Sequence, residues 1–121
     1  MSTEFTIFEE ILGQIPISIE VNHKNNVINF IFKSGDAWEM RHDQDCCEDV
    51  SIEDIAGNID LILNEPLLEA ELITGTDLDA DESGTWSFYK FGTRKSSVVI
   101  RWYGSSNGYY SEEVSFVKTN I

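Results

Sequence analysis

His42, Gln44, Cys46 and Glu48 stand two residues apart in the run Trp38-Glu39-Met40-Arg41-His42-Asp43-Gln44-Asp45-Cys46-Cys47-Glu48. On a regular strand, alternation places these four on one face and Arg41, Asp43, Asp45 and Cys47 on the other. An imidazole near a thiol is the raw material of a base and nucleophile pair, with Gln44 or Asn107 available to steady an oxyanion. Zinc accepts the same donor types. A structural zinc site needs a second ligand pair, however, and the other histidine, His23, has no partner motif. The plainer reading makes a cysteine here a small buried apolar group. No catalytic residue, metal or cofactor is therefore assigned, and a Cys–His enzyme is kept as an alternative.

The second chemically dense run is Arg101-Trp102-Tyr103-Gly104-Ser105-Ser106-Asn107-Gly108-Tyr109-Tyr110. Aromatic rings offer stacking area, an amide reads a polar edge, and a guanidinium meets phosphate or carboxylate. The competing reading is an aromatic strand pair that fills a thin core, with Asn107-Gly108 as a hairpin turn. Taken as binding residues, Arg101, Tyr103, Asn107 and Tyr110 join His42, Gln44, Cys46 and Glu48 in one ligand-binding surface. That requires the two runs to meet as walls of a single cavity. A third stretch, Asp77-Leu78-Asp79-Ala80-Asp81-Glu82-Ser83-Gly84, begins like a calcium loop. Its sixth position is Glu82 instead of glycine and its twelfth is Phe88 instead of glutamate, so a solvated loop is expected.

Charge narrows the partners. The net charge is −14, and residues 36–82 hold sixteen of the twenty-two acids with Arg41 as their one Lys or Arg. Such a field repels nucleic acid and anionic membrane and attracts basic proteins. Direct nucleic-acid and membrane binding are not expected, and homodimerisation is left open. No apolar run is long enough to span a bilayer, and the acidic N-terminus does not look like a signal peptide. Cys46 and Cys47 are adjacent, so on a strand they point apart and a bond between them is disfavoured. The chain reads as a reduced, cytoplasmic protein.

The elements that must position these residues follow from periodicity. Thr6-Ile7-Phe8-Glu9 has capping-box spacing, which predicts a short helix at 6–12 ending at Gly13. Ile15, Ile17, Ile19 and Val21 alternate as a half-buried strand. Ile28, Phe30 and Phe32 give the inward face of a second strand, and 37–42 forms a third. Ile52, Ile55, Ile59 and Ile62 fall at helical spacing broken by Gly57, which predicts two short helical pieces within 51–63. Strands are expected at 67–74 with Leu68, Ala70 and Leu72 on one face, at 85–91 with Trp86 and Phe88 on one face, at 96–103 with Val98, Ile100 and Trp102 alternating against Val99, Arg101 and Tyr103 in a pattern that allows both faces to be covered, and at 109–118 with Val114 and Phe116 inward. An acidic loop is expected at 75–84. The sum is a single α+β domain, an antiparallel sheet of six to seven strands with two or three short helices.

His42, Gln44-Asp45-Cys46-Cys47-Glu48, Val50-Ser51-Ile52-Glu53-Asp54-Ile55 and Gly57 form the first part of a larger pattern. Thr85-Trp86-Ser87-Phe88-Tyr89-Lys90, Ile100-Arg101-Trp102-Tyr103-Gly104 and Ser106-Asn107-Gly108-Tyr109-Tyr110-Ser111 complete it. Over residues 27–117 the chain resembles a group of small uncharacterised proteins from bacteriophages, prophages and bacteria. The resemblance implies a phage context, with the protein in the host cytoplasm, and carries no activity. The leading expectation is a non-enzymatic accessory protein that binds a host protein or a small-molecule ligand. One form is sequestration of a nucleotide signal from a host defence system, with the aromatics stacked on a base and Arg101 on a phosphate. The alternative is an acidic inhibitor or nucleic-acid mimic that uses the carboxylates of 36–82 against a basic host protein.

Overall fold

A computed structural model describes residues 8–120. Its strands are β1 (Pro16–Asn22), β2 (Val27–Phe32), β3 (Ala37–Arg41), β4 (Asp49–Ala56), β5 (Glu69–Thr76), β6 (Ser83–Gly92), β7 (Ser97–Ser106) and β8 (Ser115–Lys118). They form two four-stranded sheets, ordered β1-β2-β3-β8 and β4-β7-β6-β5, with every pairing antiparallel. The expected α+β fold on one sheet of six to seven strands is thus overturned. Helical structure among the described residues is one turn at 8–11 and a 3-10 turn at Ile59–Ile62. Thr6 and Ile7, the start of the expected helix and its capping residue, lie outside the described residues.

Each sheet buries one face against the other, as alternating strands in a sandwich must. The first sheet contributes Ile28, Phe30, Phe32, Trp38, Met40 and Phe116; the second contributes Val50, Ile52, Tyr89, Phe91, Val98, Ile100 and Trp102. Phe30 crosses to Phe91 at 5.4 Å between ring centroids, and the Trp102 indole N–H reaches the Met40 sulfur at 3.2 Å. The inward face expected for β2 is the one observed, and β7, whose two faces the sequence did not separate, buries Val98, Ile100 and Trp102.

The helical reading of 51–63 fails for a specific reason. β4 pairs with β7 through a bulge between Ile52 and Asp54. Ile52 faces Trp102 and Ile55 faces Ile100, both on the core side, with the extra residue Glu53 between them. One inserted residue turns a spacing of two into a spacing of three, which imitates a helix. Gly57, at φ +100°, then turns the chain out of the strand. A second irregularity, between Pro16 and Ser18, leaves Ile17 exposed and Pro16 buried. Near β5 the inward residues are Leu67, Ala70 and Leu72, while Leu68 lies outside.

Candidate functional site

β3 ends at Arg41, so residues 42–48 are a loop and not the regular strand that would align four side chains. The loop winds around one carboxylate. Glu48 accepts the Asp45 amide at 2.8 Å, the Cys46 amide at 2.9 Å and His42 Nε2 at 2.7 Å. Gln44 donates its side-chain amide to the Glu48 carbonyl at 2.7 Å. The Glu48 side chain is fully buried and His42 nearly so. Burial would push the Glu48 carboxyl up, but the amides of Cys46 and Asp45, and then His42, hold it down at about 2. His42 turns Nδ1 to the Glu113 carbonyl at 2.6 Å. Both ring nitrogens thus face oxygen atoms of the protein.

Three of the four residues expected on one binding face are therefore used to build the loop. The fourth, Cys46, is bonded to Cys47 as a vicinal disulfide, against the expectation of two separate thiols. The alternation behind that expectation does not apply, because the pair lies in a turning loop and not on a strand. The bond also removes the thiol argument for a reducing compartment. No free cysteine exists among the described residues, and no group of three or more His, Cys, Asp or Glu there is arranged to hold a metal.

The second run divides between three places. Arg101 points to the outer side of the second sheet, where both its Nε and a terminal nitrogen bond Asp54 and its guanidinium lies 5.8 Å from the centre of the Trp86 ring. This pairing draws the Asp54 carboxyl below its usual range. Tyr103 donates its hydroxyl to Asp77 at 2.6 Å. That bond, with burial and further acids nearby, pushes the phenol up to about 12. Asn107 caps a turn by accepting the Tyr109 amide at 2.9 Å. Tyr110 packs its ring edge-on against Tyr109 and lines a smaller recess beside Glu112.

Tyr103 and Asn107 do share a cavity, and Cys47 reaches it from the other run. The groove is about 590 Å³ in volume and is further lined by Asp49, Asp77, Asp79, Ala80, Asp81, Glu82, Ser83, Ser105 and Ser106. The β5–β6 loop forms one wall, and the end of β7 forms the other. His42, Gln44, Cys46, Glu48, Arg101 and Tyr110 are not among its lining residues.

Sequence reasoning missed Glu112. This buried carboxylate accepts hydroxyls from Thr85 and Ser106 and pins the 107–114 segment to the second sheet. Burial opposes its ionisation, but the hydroxyls of Ser106, Thr85 and Ser83 prevail and lower it. Gly104 leaves the room it needs: a Cβ there would lie 2.9 Å from Glu112 Cβ and 3.0 Å from its carbonyl oxygen. No spacing rule marks Glu112, since it lies in a loop and its hydroxyl partners come from two strands, β6 and β7. Asp77 was visible as the first residue of the calcium-like loop, where it also accepts the Asp79 amide at 3.0 Å.

A family model described as a domain of unknown function, DUF7448, matches residues 9–116. Its span reaches further toward the N-terminus than the resemblance seen from residue 27 and takes in the whole of β1. No curated protein and no solved structure matches the chain.

Proposed function

The chain belongs to the DUF7448 family, and we propose that it is a non-enzymatic binding protein whose partner is a basic segment of another protein. The observation that carries this is the groove between the β5–β6 loop and the end of β7. Asp49, Asp77, Asp79, Asp81 and Glu82 line it, with no Lys, Arg or His among the lining residues. A concave surface of one sign concentrates oppositely charged side chains and excludes anions. The nucleotide-signal reading loses support here, because Arg101, its phosphate contact, is held by Asp54 outside the groove.

The setting we propose is that of a phage accessory protein that acts in the host cytoplasm on a host component, either as an inhibitor or as a mimic of nucleic acid. That part rests on the resemblance alone. Calorimetric titration with hexalysine at two salt concentrations tests the groove. Binding should weaken at least tenfold from about 20 to about 200 mM salt, as screening predicts. The Asp79→Asn, Asp81→Asn, Glu82→Gln triple variant should weaken it further at low salt. Equal affinity in the triple variant and the native chain would remove the groove from the interaction.

A further inference from the structure

The outer face of the second sheet continues from the groove through Tyr103. Trp86 and Phe88 alternate along β6 with the buried Ser87 and Tyr89, so they stand on the side away from the core. Their rings lie 6.0 Å apart and nearly parallel, and the Tyr103 ring packs 4.7 Å from Trp86. Ile73, opposite Phe88 in the β5–β6 ladder, is 55% exposed. The cations on this face are already paired, Arg101 with Asp54 and Lys90 with Glu69.

We propose that this aromatic face is where the basic partner is read, and that it selects arginine over lysine. The inference rests on the binding role assigned to the adjacent groove and goes on to name the side chain recognised. The face already shows how it holds a guanidinium: Arg101 lies over Trp86 while the Asp54 carboxylate grips its edge. A guanidinium is flat and weakly hydrated, so it gives up little on stacking against a ring; an ammonium is compact and strongly hydrated. Charge also chooses the occupant. A second copy of this chain would bring another −14 to a face rimmed by acids, whereas an arginine-rich segment neutralises it.

The molecule carries its own reporter. Trp38 and Trp102 are 2% and 0% exposed, which leaves Trp86 as the tryptophan a bound peptide can touch. Blocked hexa-arginine and hexalysine peptides are titrated at one fixed salt concentration, with affinity read by calorimetry and emission by fluorescence. Hexa-arginine should bind about fivefold more tightly than hexalysine and change the Trp86 emission. Trp86→Leu should abolish the preference, weakening hexa-arginine about fivefold more than hexalysine. Ile73→Glu, at an exposed edge position, serves as a second variant and should strengthen both peptides alike. Equal affinities with unchanged emission would overturn the arginine proposal while the groove reading stands. Binding of neither peptide would overturn both. Concentration-dependent self-association abolished by Trp86→Leu, with equal peptide affinities, would assign the face to a second copy and overturn the proposal.

Discussion

Glu48 shows how a single buried carboxylate can organise a loop. Without it, the amides of Asp45 and Cys46 and the Nε2 of His42 would all lose their partner at once. Glu48→Gln keeps the shape but removes the charge, and should lower the melting temperature near neutral pH by roughly 5 °C or more. The sign of the pH dependence follows from the depressed carboxyl. An ordinary glutamate titrates near 4.5 and Glu48 near 2, so its contribution is complete above about 4.5 and is lost as pH falls through 2. The gap between native and variant melting temperatures should therefore narrow steadily over that interval, and a gap constant with pH would mean that the charge contributes nothing. The sequence singled out His42, Gln44 and Glu48 as unusual but not what they do. A carboxylate facing outward and one wrapped by its own backbone are spelled alike, and only the end of β3 at Arg41 separates the cases.

At the level of elements, legibility tracked the regularity of each ladder. The inward residues of β2 were readable because nothing interrupts the alternation of Ile28, Phe30 and Phe32; β7 was readable as a strand for the same reason, but Val99 and Tyr103 on its other side hid which face is inward. β4 was misread because its extra residue, Glu53, shifts Ile55 onto a helix-like spacing. Division into two sheets was not readable at all, since hydrogen-bond partners far apart in the chain leave no local mark; β8 pairs with β3 across most of the sequence. The bulge gives a direct check. Deleting Glu53 keeps Ile52 and Ile55 on the core side and should cost less than about 5 °C in melting temperature. Deleting Val99 from the unbroken β7 forces one half of that strand to turn its buried side chains outward, and should abolish cooperative unfolding. Circular dichroism melts of both variants compare them, and equal losses would mean that the β4 irregularity does not set register.

For the whole molecule, charge and topology have separate consequences. A net charge of −14 on 121 residues repels itself in the folded state, so added salt should stabilise the chain. Raising sodium chloride from about 10 to about 150 mM should increase the melting temperature by a few degrees; a decrease would show that the ion pairs outweigh the repulsion. The composition announced this property, whereas the concentration of five carboxylates along one groove emerged only with the β5–β6 loop in place. The late strand β8 has a different effect. Phe116 closes the core between Trp38 and Phe91, and the carbonyl of Glu113 meets His42 of the loop that follows β3. During synthesis on the ribosome, the earlier seven strands emerge with that seam still open. The sandwich cannot zip shut until residue 118 is clear of the exit tunnel, so folding should finish in one late step and not grow strand by strand.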